Sequence, residues 1–534
     1  MADLLEILTN DAGLTAEQYG VGPAWIGGIE YWSTGHAYQP SRKSGGNTRS
    51  RADRANSDQY INFAEHNPSL VSGANGSINP SISVEDDLSG VVCSMDGTST
   101  NTGFCGLKVI PDTPWDLSAQ HTYPGQSADT VFLLDMEFPE MPNGNTMQHS
   151  TAIAIYFVTN AGFSDFFYQK DMLNKVDKTP RQMLAFRASE FISTGAPVLS
   201  QVNKIEIRVT NEMQTNEPIS VKIRGLYVNV KRKGRVVLSF DNAHTSWFSK
   251  FYTTYIRAKG WGCSQAFVMD RVGNTGVMTL AMLQDAQASG CEMVNHTTDH
   301  QPAYNMATPT ISGTGPWTIN YHQTGHGRTT GDVVTFLGQS RALCNGTKTI
   351  TVIDADNYTA TETVNDDSAT ATFGNIQAEN PLWTDQTMIG CSEYFEANGL
   401  VESPVFVYPG GFSNPDTWAQ LERLGFVGAR GVRGGGEPAN ASNYHYGLGE
   451  GIWSIPSLEM SSADTAASLL AEMDHILSLG ADCHVYGHSF ADVPVVITEF
   501  PAGELPAFVD GIQARIDSGL CDVPISLGES VRDY

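Results

Sequence analysis

The sequence predicts a multidomain protein in which a β-sandwich precedes a barrel of alternating strands and helices. Between residues 80 and 235, apolar and polar side chains alternate with a period of two, as in Lys204–Val209 and Ile219–Val230; this is typical of half-buried strands. After residue 235, short apolar strands alternate with helices that end at a glycine, an order typical of parallel α/β domains. The 534-residue chain is long enough for about three or four domains.

The chain before residue 235 divides into an N-terminal attachment or linker segment, residues 1–40, and the predicted sandwich, residues 41–234. A short helix is predicted at Ala2–Leu8, and the polar residues 41–60 are predicted to form an exposed loop. Apolar strands such as Thr151–Val158 follow, separated by Gly, Pro and Asn turns, and such strands form two-sheet sandwiches. A sandwich of this kind either binds sugars or acts as a spacer, and the sequence leaves both roles open.

Residues 235–306 and 379–534 are predicted to form the (β/α) barrel, complete or incomplete. The region begins with the apolar strand Val236–Phe240, and about seven strand–helix steps follow along the chain. Between its two parts, residues 307–378 are rich in Thr, Gly and Val and show almost no helical pattern, so we expect a small inserted β module. Helices are predicted at Thr253–Lys259, Thr279–Ser289, Asp385–Asn398, Asn414–Leu424, Ala463–Leu479 and Leu505–Ser518.

The chain carries 31 basic and 58 acidic side chains, a net charge of −27, and this charge is spread unevenly. Residues 1–235 hold 19 basic and 25 acidic side chains, a net charge of −6, which leaves −21 for residues 236–534. Phosphate backbones would be repelled, so we expect no nucleic-acid partner. A strongly anionic polymer is also a poor substrate unless a local patch overrides the field.

Two further properties of the sequence concern membranes and thiols. No apolar run reaches the roughly 18 residues that span a bilayer, and the start of the chain lacks a basic segment followed by a long apolar one. We therefore expect neither a membrane partner nor a secretory signal. The eight cysteines contain no C-x-x-C pair; we expect buried free thiols, with a bridge between Cys93 and Cys105 as the alternative.

Three polar segments follow predicted strands of the barrel region. Ser239–Asn242 ends the first strand, His296–His300 follows a later strand, and His488 ends a strand near the C-terminus. The C-terminal ends of barrel strands meet at one mouth. We therefore expect these three segments to lie together.

The two histidines of the second segment have a spacing that suits metal ligands. His296 and His300 are four residues apart, and on one helical turn this spacing puts both imidazoles on the same face. Two neutral imidazoles suit a divalent metal such as zinc, with Asp241 or Asn242 as a third ligand. Asp241 would take a proton from water, and His488 would give one to the leaving group. Alone, the spacing is a weak signal, because surface histidines near a helix start show it too.

Taken in order, these segments resemble the polysaccharide deacetylases of carbohydrate esterase family 4. The family's first motif, T-F-D-D, resembles Ser239–Asn242 (SFDN), and its second, H-[ST]-x-x-H, is matched by His296–His300 (HTTDH). A third motif with a proline at a strand end resembles Phe406–Gly411 (FVYPGG), although the usual arginine is absent. A fourth region resembles Ala429–Arg433 (ARGVR), and the last motif, a strand ending in a histidine, is matched by His488.

The resemblance implies metal-dependent removal of an acetyl group from a sugar. It makes Asp241 the general base and His488 the general acid. It also makes the backbone N–H of Gly410 a donor to the oxyanion, and it gives Arg430, or else Arg433, the role of fixing the base. The implied metal, most simply zinc, would be bound by Asn242, His296 and His300.

One position departs from the family pattern, which the chain follows over residues 235–306 and 379–534. The family's second aspartate, a metal ligand, is Asn242 here. An amide oxygen is neutral and a weaker ligand, so metal affinity is expected to fall. His244, two residues further on, is a candidate for a compensating ligand.

The inserted module has a resemblance of its own. Gly325–Gly327, Gly331–Thr335 and Asn345–Thr347 resemble glycine-rich β modules of phage tail proteins. The combined resemblance implies a tailspike-type virion protein, made in the host cytoplasm, that removes N- or O-acetyl groups from polysaccharide at the host cell surface. Such a protein is expected to attach to the virion through its N-terminus as a homotrimer, although no coiled-coil heptads are visible. The alternative is a glycan-binding tail fibre or adhesin with an inactive barrel.

Overall fold

The computed structural model describes three short strands near the N-terminus and most of the chain from residue 57 onward. The three strands, β1 (Pro23–Ile26), β2 (Ile29–Ser33) and β3 (Tyr38–Pro40), pair in one antiparallel sheet. The helix predicted at Ala2–Leu8 lies outside the described residues. No helix of the described part is long and apolar enough to cross a membrane. The described residues are 23–26, 29–33, 38–40, 57–73, 79–95, 104–137, 151–173, 181–211, 219–312, 317–337, 344, 346–362, 376–411, 413, 415–432, 453 and 455–532.

Two antiparallel sheets form a sandwich from residue 57 to residue 230. Their strands are β4 (Ser57–Asn62), β5 (Ser69–Gly73), β6 (Ser81–Val84), β7 (Val91–Met95), β8 (Phe104–Val109), β9 (Val131–Glu137), β10 (Thr151–Val158), β11 (Phe166–Leu173), β12 (Arg181–Arg187), β13 (Ile192–Thr194), β14 (Lys204–Asn211) and β15 (Ile219–Val230). The proximal sheet, named for its contact with the barrel region, has the order β12-β9-β15-β7-β6, with β4 paired to β15. The distal sheet has the order β13-β11-β10-β14-β8-β5.

Alternating side chains build the core between these two sheets. In β10, Ile153, Ile155 and Phe157 are fully buried there, as expected when every second side chain points inward. The prediction of an exposed loop over residues 41–60 is wrong for residues 57–60. These residues belong to β4, which pairs with β15 and continues to Ile61 in this core. All eight cysteines are buried free thiols.

The parallel sheet starts with β16 (Val236–Phe240), β17 (Cys263–Phe267) and β18 (Cys291–Asn295). All side chains of β16 and β17 are buried, as expected for strands covered on both faces. Helix α1 begins as a π-helix at Trp247–Ile256 and continues through Arg257–Lys259, so it starts earlier than predicted. Helix α2 (Leu280–Ala288) connects β17 to β18.

After β18 the chain forms a separate seven-stranded antiparallel sheet. Its strands are β19 (Tyr304–Ser312), β20 (Trp317–His322), β21 (Val333–Leu337), β22 (Gly346–Thr349), β23 (Thr351–Val352), β24 (Asn357–Glu362) and β25 (Ile376–Glu379), in the order β22-β21-β25-β19-β20-β24-β23. Only Ile350 separates the two end strands along the chain, so the sheet curls into a nearly closed barrel. This module extends a few residues beyond the predicted insert, residues 307–378.

The parallel sheet resumes with β26 (Glu402–Val407), β27 (Gly428–Arg430), β28 (Leu458–Glu459) and β29 (Cys483–Gly487). The seven strands have the order β27-β26-β18-β17-β16-β29-β28, and the described strands form an open half-barrel. The last predicted strand, Val523–Ser526, is wrong. Only Ile525 pairs, with Val237 of β16, because the chain turns into a helix at Leu527.

Helices cover the half-barrel, and short elements connect them. The α-helices are α3 (Asp385–Ala397), α4 (Pro415–Arg423), α5 (Ala466–Ser478), α6 (Leu505–Asp517) and α7 (Leu527–Arg532). Two strands, β30 (Ser489–Ala491) and β31 (Glu499–Pro501), pair outside the main sheet. Among the described residues, 3-10 helices lie in the sandwich at Phe63–His66, Ala188–Glu190 and Leu199–Gln201, and in the barrel region at Met269–Arg271, Pro409–Gly411 and Ala502–Glu504.

The proximal sheet packs directly on the half-barrel. Leu133, Met183 and Tyr227 of this sheet belong to the hydrophobic core of the barrel region and not to the core between the sheets. At the same junction, the buried carboxylate of Asp482 bonds Arg232 at 2.8 Å and Arg235 at 2.8 Å, and both arginines are mostly buried. One carboxylate thus joins the segment after β15 to the start of β29.

We expect Asp482→Asn to lower the free energy of unfolding by about 3 kcal/mol, because it removes the buried negative charge that two largely buried arginines share. Urea unfolding followed by circular dichroism measures this loss. Asp522→Asn is the matched control, since Asp522 pairs with Lys233 on the surface and such pairs contribute about 0–1 kcal/mol. Equal unfolding midpoints for the two variants would contradict the role of Asp482.

Candidate functional site

The polar segments predicted to meet do lie at one end of the parallel sheet. Parallel strands direct their C-terminal ends to the same edge, and each candidate residue follows or ends such a strand. β16 leads to Asp241 and Asn242, β18 to His296 and His300, β26 to Gly410, and β29 to His488, while Arg430 is the last residue of β27.

A buried ion pair lies at the centre of this end of the sheet. Arg430 Nη2 donates to both carboxylate oxygens of Asp241, at 2.7 and 2.5 Å. The Arg430 side chain is 0% exposed and that of Asp241 is 5% exposed. The guanidinium group also lies 4.5 Å from the ring centre of Tyr486, which suits a cation–π contact. Arg430 therefore holds the carboxylate in one orientation.

The surroundings of Asp241 favour its ionised form. Burial acts to raise the pKa of Asp241, but the positive charge of Arg430 and its hydrogen bonds to the carboxylate act to lower it, and the net pKa lies below its usual value. The carboxylate is thus ready to accept a proton from a neighbouring group near neutral pH.

The segment that contains the two histidines is not a helix, so the predicted helical turn is wrong. Thr297 and His300 both adopt left-handed backbone angles, with φ of 68° and 65°, and the segment has no helical assignment. The loop nevertheless brings the rings of His296 and His300 to a centre-to-centre distance of 4.8 Å. The two imidazoles therefore lie close together because of the loop conformation and not because of a helical turn.

Hydrogen bonds hold this loop in its conformation. The Thr297 N–H donates to Asn295 Oδ1 at 2.9 Å, and the His300 N–H donates to Thr297 Oγ1 at 2.9 Å. His296 Nδ1 lies 2.8 Å from the carbonyl oxygen of Val407. Because a carbonyl oxygen can only accept, Nδ1 must carry the proton, and Nε2 keeps its lone pair.

Both histidines are held neutral. Burial lowers the pKa of His296 to about 4. Burial, followed by the charge of His296, lowers the pKa of His300 to about 3. At neutral pH both imidazoles are therefore uncharged and carry a free lone pair. This is the form of histidine that binds a metal ion.

The residues present fit a divalent metal ion, with Asn242 as the oxygen donor. Asn242 Oδ1 is buried and has no hydrogen-bond partner among the described residues, and such an orphaned acceptor is unusual in a folded protein. Asn242 and Ala243 both have left-handed φ angles, 64° and 47°, a strain typical of functional sites. In the described part no group of three His, Cys, Asp or Glu side chains suits a metal; a metal held by His296 and His300 would therefore need a donor of another type, such as the amide oxygen of Asn242.

The remaining candidate residues are His488, Gly410, His244 and Arg433. His488 is half-buried, its Nδ1 has no partner among the described residues, and its ring centre lies 5.7 Å from that of Tyr486. Gly410 is exposed with φ of 68°, in the turn after β26. His244 is half-buried, and burial, followed by the charge of His488, lowers its pKa. Arg433 lies outside the described residues.

Sequence reasoning missed the residues that support the histidine loop. Asn295 Nδ2 donates to Glu402 Oε1 at 2.7 Å, and Ser392 Oγ donates to the same oxygen at 2.9 Å. Burial raises the pKa of Glu402 to about 7. This carboxyl group fixes the amide of Asn295, whose oxygen in turn holds Thr297. No sequence signal connects Glu402 to a loop more than 100 residues earlier.

Comparisons with known proteins give weak similarities to proteins that act on or bind carbohydrates. No family model and no curated protein matches the chain. The chain is similar to the Streptococcus pyogenes deacetylase PplD, with 12% identity over 41% of this chain and 62% of that chain, and a TM-score of 0.22. It is also similar to the family 11 carbohydrate-binding module of the Clostridium thermocellum cellulase Lic26A-Cel5E (13% identity, 32% of this chain, 92% of the module, TM-score 0.21) and to the xylan-binding module CBM15 (12%, 32%, 95%, 0.21). At these low scores the similarities identify neither a family nor an activity.

We expect Glu402→Ala to weaken zinc binding by about tenfold, because supporting hydrogen bonds to a ligand loop typically contribute at least that much to metal affinity. Glu402→Gln keeps an oxygen acceptor for Asn295 and should bind zinc nearly as well as the wild type. Isothermal titration calorimetry compares the three proteins. Equal losses in both variants would show that the hydrogen bond to Asn295 does not support the site.

We expect zinc affinity to stay nearly constant from pH 7 to pH 5. Protons compete for His296 and His300 only near their lowered pKa values of about 4 and about 3. Two histidines with ordinary pKa values would each weaken binding roughly 30-fold at pH 5. Zinc titrations at pH 7, 6 and 5 test this, with His296→Ala as the control that loses the site. A thousandfold fall at pH 5 would contradict the burial of these rings.

Proposed function

We propose that the protein is a metal-dependent deacetylase that hydrolyses acetyl groups on a polysaccharide. The observation that carries this proposal is the buried Asp241–Arg430 pair beside two neutral histidines and the unbonded oxygen of Asn242. A carboxylate base next to three neutral metal donors is an arrangement suited to hydrolysis by an activated water molecule. The motif order described above supports an acetylated sugar as the substrate.

Each residue of the site has a separate role in the proposed hydrolysis. Asn242, His296 and His300 would hold the metal, which supplies Lewis acidity toward the acetyl carbonyl and lowers the pKa of a water molecule. Asp241, kept ionised by Arg430, removes a proton from the attacking water. The N–H of Gly410 donates to the oxygen that gains negative charge. His488 gives a proton to the departing sugar nitrogen or oxygen.

The biological setting is part of the same proposal. The glycine-rich inserted module supports a tailspike-type virion protein that acts on acetylated polysaccharide at the host cell surface, and a homotrimer attached through its N-terminus. The sandwich would then hold the polymer near the half-barrel. Electron microscopy of virions labelled with antibodies against this chain would test the location.

A second function is favoured by one residue, Asn242. Its amide oxygen is neutral where the resembled family has a carboxylate, and a neutral ligand binds a divalent metal more weakly. In this alternative the half-barrel binds glycan without hydrolysing it. Asn242→Asp separates the two functions, because it would create activity in an inactive protein and only modify activity in an active one.

We expect His488→Ala to lower the turnover number for acetate release by about 10²- to 10⁴-fold, because general acid catalysis contributes that much. The assay measures acetate from acetylated glycans with zinc present, and zinc titration should show that the variant still binds metal. His322→Ala is the matched control, since His322 lies exposed in the inserted module. If the zinc-loaded wild type releases no acetate while Asn242→Asp does, the binding alternative replaces the enzyme.

A further inference from the structure

The distal sheet has a solvent-facing surface that does not follow the usual pattern. The outer face of an antiparallel sheet is ordinarily polar. In this sheet five aromatic side chains share that face, and we call them the aromatic platform: Phe104, Tyr156, Phe163, Phe166 and Tyr168.

Strand alternation places four of these rings on the outer face, and Phe163 lies in the loop between β10 and β11. In β10, the neighbours of Tyr156 along the strand, Ile155 and Phe157, point into the sandwich core. The register of the sheet places Tyr156 directly opposite Tyr168 of β11, so these two rings lie on the same face. None of the five rings belongs to the core between the sheets, and all five are half-buried. The platform therefore presents partly accessible ring surface to solvent.

Four of the rings form one contiguous cluster, and Phe104 lies beside it with its ring centre 4.7 Å from the guanidinium carbon of Arg208. The ring centre of Tyr156 lies 5.7 Å from those of Phe163, Phe166 and Tyr168, and those of Phe163 and Phe166 lie 4.9 Å apart. The Tyr156 and Tyr168 rings are nearly parallel, at 18°. Phe163 has a left-handed φ of 56°, which is rare for a bulky side chain, and such strain is typical of ligand-binding loops.

Two positively charged side chains lie over rings of the platform. The Arg208 guanidinium carbon lies 4.3 Å from the ring centre of Tyr156, and Lys204 Nζ lies 4.4 Å from that of Phe163. The carboxylate of Glu206 lies 2.6 Å from Arg208 and 3.9 Å from Lys204, and Lys108 pairs with Glu206 in the register of the sheet. Three positive groups thus lie around one carboxylate, an excess of two positive charges in a chain whose net charge is −27.

This face lies on the side of the sandwich away from the half-barrel. The half-barrel packs on the proximal sheet through Leu133, Met183 and Tyr227, and the two sheets of a sandwich lie about 10 Å apart. Asp165, an acidic residue in the loop that carries Phe163, is already bonded to the N–H of Ala196 at 2.9 Å. The excess positive charge beside the platform is therefore left for a ligand.

We propose that the aromatic platform and its bordering cations bind a polysaccharide that carries carboxylate groups. Flat, partly accessible rings offer surface for the apolar faces of sugar rings, and polar groups at the edge give orientation, as in other ligand sites. Lys108, Lys204 and Arg208 meet the sugar carboxylates. This inference deepens the proposed role of the sandwich in holding polymer, but it does not depend on hydrolysis.

Affinity electrophoresis of the full chain tests the proposal, with gels that contain polygalacturonate, alginate, hyaluronan, neutral dextran or no polymer. At least one of the three acidic polymers should retard the wild type more than dextran does, and added salt should reduce the retardation. Tyr168→Ala should weaken binding by about two- to tenfold. Lys204→Gln should weaken binding and reduce its dependence on salt.

A matched control makes the outcome decisive. Lys222→Gln makes the same charge change on the proximal sheet, where Lys222 lies 3.7 Å from Glu85, and it should bind like the wild type. Because the gels measure polymer binding and not acetate release, a failure of the proposed hydrolysis leaves this result untouched. The proposal is overturned if no acidic polymer retards the wild type, if dextran retards it equally, or if Lys204→Gln, folded by circular dichroism, migrates like Lys222→Gln.

Discussion

The geometry of the candidate site depends on the ion pair between Asp241 and Arg430. Arg430 ends β27 and Asp241 follows β16, and three strands separate β27 from β16 in the sheet. Their side chains meet at 2.5 Å only because the sheet curves strongly enough to bring its edge over its centre. Both charges are removed from water, so each would be costly without the other. The pair therefore links the curvature of the half-barrel to the orientation of the base.

Around this pair, the strained backbone and the buried neutral imidazoles are already in a conformation and a protonation state that suit metal binding. Residues with left-handed backbone angles occur in two loops of the site: Asn242 and Ala243 after β16, and Thr297 and His300 after β18. Such conformations persist only where neighbouring contacts hold them, and Asn295 and Glu402 supply these contacts for the histidine loop. Burial of the imidazoles keeps their lone pairs free of protons, which suits metal binding more than a surface position would.

Much of the organisation was predictable from local pattern. Period-two alternation located strands such as β10 and β15, and apolar strands followed by glycine-terminated helices indicated the parallel sheet. The segments that carry Asp241, the two histidines and His488 could be predicted because parallel strands end at one edge, whereas Gly410 and Arg430 were expected only from the family resemblance. The helical turn at His296–His300 was wrong, because residue spacing alone does not distinguish a helix from a loop held by side-chain hydrogen bonds. Glu402 escaped prediction because it acts across a long separation in the chain.

The sequence by itself determined the residue types available for chemistry, the uneven distribution of charge, and the positions of most strands and helices. Only the tertiary structure decided which of those residues meet. Curvature of the parallel sheet selected Arg430 as the partner of Asp241, and burial selected the neutral form of the two histidines. Sheet pairing assembled the aromatic platform from three strands and one loop. These outcomes depend on contacts between distant segments and on the removal of water, and neither is encoded in local sequence periodicity.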